Sequence, residues 1–185
     1  MTDQSVAADE TEFWERRRTL DLAPTTEADV QQRAIGRHRH LVLLAPVTDE
    51  AIVSAFEPVS NRLDEFECFA AEPADNIHIT VKVLGNIVDN PDGEREFSPR
   101  EEHQLTETLR SPLDTVSSFT VRFPRCNLFP GVVYAEVDDA DTFADLNRRL
   151  CELNDVPVLE RDRDGFIPHL TLGHFTQRDG YEQLL

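Results

Sequence analysis

Two short patterns carry the chemistry in this chain of 185 residues. His78 and Thr80 lie in the run Ile77 to Gly85, Ile-His-Ile-Thr-Val-Lys-Val-Leu-Gly, and His169 and Thr171 lie in Pro168 to Gly173, Pro-His-Leu-Thr-Leu-Gly. Near neutral pH imidazole exists in both protonation states, so a pair can supply a base for water and an acid for a leaving oxygen in one step. A hydroxyl two residues beyond each imidazole adds a hydrogen-bond donor for the oxygens on which charge builds. The combination suits a reaction that needs a base, an acid and donors to a developing oxyanion at once. No His, Asp or Glu cluster has metal-ligand spacing, so neither metal nor cofactor is expected.

His-x-Thr alone means little, since 6 His and 14 Thr among 185 residues give about 0.45 chance occurrences. The weight falls on context: both copies sit in apolar β-type runs, and both are followed by Gly. Successive side chains in a strand point to opposite faces, so His78, Thr80 and Lys82 share one face and Ile77, Ile79, Val81 and Val83 the other. His169 and Thr171 likewise oppose Leu170 and Leu172. Strict alternation places His174 away from His169 unless the strand bulges. The plain alternative is a solvent-facing His and Thr on half-buried strands.

These motifs resemble those of the 2H phosphoesterases, and within them the 2′,5′ RNA ligase or RNA 2′,3′-cyclic phosphodiesterase group. That family carries two His-x-Thr/Ser motifs on strands, one in each half of the chain. The first runs on to Leu-Gly or Phe-Gly, and the second follows a Pro. Here His78 to Gly85 matches the first and Pro168 to Gly173 the second, 91 residues apart (169 − 78), and the resemblance spans about residues 39 to 175. It implies a metal-independent phosphodiesterase that opens 2′,3′-cyclic phosphates at RNA or nucleotide ends to a 2′-phosphomonoester. His78 would be the acid and His169 the base, with Thr80 and Thr171 on the phosphate. The alternatives are 2′,5′ RNA ligase activity, another small cyclic phosphodiester, or a non-catalytic nucleotide-binding module. Many members of the RNA-directed group carry Arg three residues after the second Thr, where this chain has His174. Lys82 and His174 are therefore the further substrate-binding candidates, with Lys82 or an arginine supplying the charge. Relatives commonly continue with a helix and a strand beyond the second motif, so the second sheet is expected to be shortened, or completed by the N-terminal extension.

Composition bounds the partners. Acidic residues number 36 against 18 basic ones, for a net charge of −18, and Lys82 is the only lysine. An acidic surface with arginine in place of lysine resembles that of proteins from extreme halophiles, where salt screens self-repulsion. It leaves no broad basic face for a long nucleic acid, so the expected partners are RNA 3′ ends or small cyclic nucleotides, bound locally by a monomer. No apolar run reaches membrane-spanning length and the acidic start lacks a secretory signal, so the expectation is a cytoplasmic protein with no membrane partner. Cys68, Cys126 and Cys151 form no close pair and read as packed thiols.

The elements that must position the motifs read as α+β, with antiparallel sheets and covering helices. Residues 1–38 look like an N-terminal extension, partly helical or disordered, with helices at Glu10 to Leu20 and Glu27 to Ile35. The Arg16, Arg17, Arg18 run reads as a solvated face that could touch phosphate. His40 to Pro46 and Phe66 to Ala71 read as strands. Between them, Asp49 caps a helix that carries Phe56, Val59 and Leu63 inward and that Pro58 kinks or divides. Ser98, Pro99 and Glu101 start a helix expected to end before Pro112. Val116 to Phe123 and Val132 to Val137 read as strands joined by a Pro124 to Gly131 loop. Asp139 or Asp141 then caps a helix presenting Phe143, Leu146, Leu150 and Leu153. The resemblance adds a central groove within residues 39–185, between two lobes of about 39–97 and 98–185.

Overall fold

The computed structural model describes residues 12–25 and 39–184, and the Glu27 to Ile35 helix expected from sequence lies outside them. Helix α1 (residues 12–18) is followed by strand β1 (Arg39–Pro46), helix α2 (Glu50–Asp64), β2 (Phe69–Ala71), β3 (His78–Ile87) and β4 (Glu96–Phe97). Then come α3 (Pro99–Asp114), β5 (Cys126–Phe129), β6 (Val132–Glu136), α4 (Thr142–Leu150), β7 (His169–Phe175) and α5 (Tyr181–Leu184). The fold is α+β. The described strands form one sheet in the order β1-β3-β7-β6-β5, with β2 added to β7 and β4 to β3. All pairings are antiparallel except β3 with β4.

The two motif strands are central because their apolar faces are the core. Ile79, Val81, Leu170 and Leu172 are each at most 3% exposed, and they join one cluster with Leu105 and Leu109 of α3 and Phe143, Leu146 and Leu150 of α4. The i, i+3, i+4 and i+7 spacing of those helical residues gives each helix the apolar stripe that lies on the sheet. Burial of a Leu or Phe side chain contributes on the order of 2 kcal/mol, so these strands are held from beneath before any polar contact is counted.

The helix starts follow the sequence. Asp49 Oδ1 accepts from the amides of Ala51 and Ile52, and Ser98 and Glu101 form a reciprocal capping box. Asp139 Oδ2 accepts from Phe143 N, although it stands two residues before Asp141, where α4 begins its turn with φ +64°. Pro58 lies inside α2 without dividing it, whereas α3, expected to end before Pro112, runs through it to Asp114. Pro112 lies in the last turn, where few ladder bonds remain to be lost, and like Leu105 and Leu109 it is buried.

The second half departs further. Val116 to Phe123 makes only an isolated bridge, Arg122 with Asp138, and the partner of β6 is Cys126–Phe129, inside the expected loop. Phe119 and Phe123 instead set their rings edge-on to Phe143 and Phe56. The run expected as a strand thus serves ring packing beside the sheet. Residues 12–25 dock on this half: Leu22 joins the core, Ala23 N donates to Pro130 O, and Thr25 N donates to Phe175 O. Of the arginine run, Arg17 is used in that docking. Arg17 lies 3.5 Å from the Phe13 ring centroid and donates to Asn127 Oδ1, and Arg16 pairs with Glu12, so neither faces a phosphate site.

Candidate functional site

Strands β3 and β7 touch at a single backbone pair, Ile79 with Leu170. In an antiparallel register one step to either side brings His78 against Thr171 and Thr80 against His169. Because Ile79 and Leu170 point into the core, all four polar side chains take the opposite face, and each imidazole stands across from the other motif's hydroxyl. Beyond this pair the strands part. A groove of about 520 Å³ opens over them, lined by Thr80, His169, Thr171 and His174 and walled by residues 161–167. His78, at the first position of β3, stands at its edge rather than among its lining residues.

The two imidazoles are anchored alike. His78 Nδ1 lies 2.5 Å from Asn76 O, and His169 Nδ1 lies 2.8 Å from Ile167 O. A carbonyl oxygen only accepts, so Nδ1 carries the proton in each ring and Nε2 is left for a reactant. Their surroundings differ. His169 meets Phe129 and Tyr134 edge-on, with ring centroids at 5.1 and 5.4 Å, and those two rings stack on each other at 4.1 Å. Burial holds the His169 imidazolium below its ordinary pKa, helped by the charges of Arg161 and His78 and opposed by the Ile167 hydrogen bond. This ring is therefore neutral, with a free Nε2 lone pair, over a wider pH range than an exposed histidine.

Alternation fails just past each threonine, and for the same reason. The pairing of β1 with β3 skips Val81, and the pairing of β6 with β7 skips Leu172, so each motif strand carries an extra residue there. On β7 the bulge turns His174 to the groove side, beside His169 and Thr171; its Nε2 lies 3.6 Å from Glu72 Oε2. On β3 the bulge does the reverse to Lys82. Its side chain is wholly buried, and Nζ donates to Asp162 Oδ2 and to Val83 O. Lys82 lies along the same groove as Thr80, but the expectation that it reaches a phosphate is corrected: its ammonium is buried and committed to Asp162. Both strands also need glycine where another backbone crosses. A Cβ at Gly85 would lie 2.0 Å from Arg95 O, and one at Gly173 would lie 2.4 Å from Ala70 O.

The Lys82 partner belongs to a buried set that sequence reading missed. Asp162 accepts from Lys82, from Leu159 N at 2.6 Å and from Asn147 Nδ2 at 3.1 Å, and Asn147 Oδ1 accepts from Arg163 N at 2.9 Å. Burial pushes the Asp162 carboxyl up, but these hydrogen bonds outweigh it and hold the group below the ordinary carboxylate range. The signal for it was the sole lysine inside an apolar strand, since a buried ammonium needs an acid. Arg161, which borders the groove, and Phe129 beside His169 gave no local signal, because loops bring them there. Among the described residues no group of three or more His, Cys, Asp or Glu side chains is placed to hold a metal ion, and no helix is long and apolar enough to cross a membrane.

Comparison with known proteins agrees with the geometry. The crystal structure of TT0787 of Thermus thermophilus superposes with a TM-score of 0.51 at 18% identity, covering 76% of each chain. A conserved protein of unknown function, ATU0111 of Agrobacterium tumefaciens strain C58, gives a TM-score of 0.53 at 17% identity, covering 80% of this chain and 67% of that one. At such identities the likeness establishes the fold alone. No curated protein matches the chain significantly. The match to a family spans residues 56–185, well over half of the sequence and both motifs, and by it the chain belongs to the 2′-5′ RNA ligase superfamily of 2H phosphoesterases.

Proposed function

We propose that the protein is a phosphodiesterase that opens 2′,3′-cyclic phosphates at RNA or nucleotide ends to 2′-phosphomonoesters, using side chains alone. The observation that carries this reading is the crossed arrangement about Ile79 and Leu170: two imidazoles, each with Nδ1 tied to a carbonyl, each opposite a threonine hydroxyl. His169 Nε2 takes a proton from water as the water oxygen bonds to phosphorus. The phosphorus–O3′ bond breaks in line with that attack, and His78 delivers its Nε2 proton to the departing O3′. Thr80 and Thr171 donate to the non-bridging oxygens, where negative charge grows. The step leaves His169 protonated and His78 neutral, and exchange with solvent restores both. His174, whose Nε2 lies 3.6 Å from Glu72 Oε2, is a further contact for the phosphate.

The low-lying pKa of His169 supports its role as the base, because a base must be unprotonated when water arrives. The joining of RNA ends in a 2′-5′ linkage, which the superfamily's name describes, is the same step with a 5′ ribose hydroxyl in place of water: His169 takes the hydroxyl proton, the P–O3′ bond breaks, and His78 protonates the departing O3′. The testing experiment is incubation with a nucleoside 2′,3′-cyclic phosphate in the presence of a chelator at matched ionic strength, read by phosphorus NMR. A 2′-phosphomonoester is expected. A 3′-phosphate would reverse the substrate's orientation, activity restored only by a divalent ion would remove the metal-independent mechanism, and no turnover under any condition would remove the reading.

A further inference from the structure

Most arginines with described surroundings are neutralised by a carboxylate: Arg39 by Glu102, Arg62 by Glu65, Arg125 by Glu136, Arg148 by Asp145 and Arg178 by Asp21. Of the described arginines without an ion pair, Arg95 and Arg161 are the two that border one depression beside the groove. Arg95 and Arg161 are both exposed, and neither makes an ion pair among the described residues. They border one shallow depression of about 410 Å³, which continues the groove, since Arg161 and Gly165 line both. Glu160 borders it too, unpaired with either arginine.

The backbone under both arginines is fixed. The carbonyl of Arg95 accepts from Asn86 N at 2.8 Å, in the space that Gly85 leaves by having no Cβ. Arg161 rides on the turn that the buried Lys82, Asp162 and Asn147 set secures through Leu159 N and Arg163 N. The interior cation at Lys82 thus holds in place the loop that carries an exterior one. Two free guanidinium groups on a rigid footing, at the mouth of a groove, suit a phosphate that arrives with the substrate but does not react.

We infer that Arg95 and Arg161 form a second phosphate subsite, which takes the phosphodiester preceding the reacting group in a single-stranded RNA 3′ end. This rests on the reading that the histidine pair acts on a phosphate, and it makes an oligonucleotide a better substrate than a mononucleotide. Contact with one or two phosphates is compatible with the acidic surface, where a long basic track is not.

The test compares kcat/KM for a trinucleotide ending in a 2′,3′-cyclic phosphate with that for the mononucleotide. Arg95→Gln should lower the ratio of trinucleotide to mononucleotide about fivefold, the effect of one exposed charge contact, and Arg95→Glu should lower it further. Glu160→Gln should raise the ratio. Binding of the same trinucleotide with an unreactive 3′-phosphate, followed by fluorescence anisotropy, tests the subsite apart from turnover: Arg95→Gln should weaken it and make its log-log salt dependence shallower by about 0.7. An unchanged ratio and unchanged binding in both Arg95 variants would overturn the subsite, as would equal losses on the two substrates. Absence of turnover by the native protein, with binding still dependent on Arg95, would overturn the proposed reaction and leave the subsite standing.

Discussion

Strands β3 and β7 are near copies at the level of the backbone and differ at the level of surroundings. Each carries His-x-Thr, ties Nδ1 to the carbonyl two residues upstream, and bulges at the residue after Thr. Yet His169 is covered by Phe129 and Tyr134, whereas His78 stands at the groove's edge. The position after the bulge is Lys82 in β3, turned inward to Asp162, and Gly173 in β7, where Ala70 O passes too close for any side chain. One residue further, Val83 and His174 both face the groove. Repetition of a motif thus supplies geometry, and the neighbours of the second copy bury His169 and lower its pKa, which keeps that ring neutral and able to accept a proton.

The largest expected effect comes from removing one half of the comparison. His78→Ala and His169→Ala should each lower kcat/KM for a cyclic nucleotide by about 10² to 10⁴-fold, measured in steady state. The double variant should fall little below the weaker single one, since each histidine is useful mainly while the other acts. Losses that multiply would mean independent roles.

Lys82→Met tests the inward half of the bulge. It leaves the Asp162 carboxylate buried without its cation, and unfolding in urea should show a loss of about 3 to 5 kcal/mol. Replacing both partners by apolar residues should recover much of that loss. Acid should act in the same direction. The native Asp162 pKa lies below the ordinary value near 4, so its stabilisation is complete above that value and disappears as pH falls through the native pKa. A Lys82→Met protein as stable as the native one would show that the pair is not what holds the turn of residues 159–163.

A smaller effect sharpens the difference between the histidines. Because burial disfavours the His169 imidazolium, the acid limb of the kcat/KM profile should have its midpoint below the ordinary imidazole value of about 6.5. Phe129→Ala admits water to that ring, relieves the burial, and should move the limb upward. A limb that stays in place would assign it to another group.

The sequence made the motif pair legible because its signals are local: period-two alternation, Gly where backbones crowd, and a Pro before the second strand. Helix starts were legible for the same reason, through Asp49 and the Ser98–Glu101 box. What it hid was non-local. The bulges at Val81 and Leu172 depend on the register of β1 and β6, and they decide that Lys82 faces in and His174 faces the groove. The strand at Cys126–Phe129 was hidden because the more apolar run before it met rings of Phe56 and Phe143 rather than a strand partner. Arg161 and Asp162 reach the site from a charged turn whose sequence looks merely solvated.

Leaving-group dependence tests the division of labour most directly. A 2′,3′-cyclic nucleotide expels a poor leaving group that needs a proton, whereas a 3′-deoxynucleoside 2′-nitrophenyl phosphodiester expels a nitrophenolate that does not. With the activated ester, the deficit of His78→Ala should shrink to within about tenfold of the native protein, while His169→Ala keeps the deficit of about 10² to 10⁴-fold that it shows on the cyclic substrate. Rescue of His169→Ala instead would exchange the two roles, and an equal deficit in both variants on both substrates would contradict acid–base catalysis by this pair.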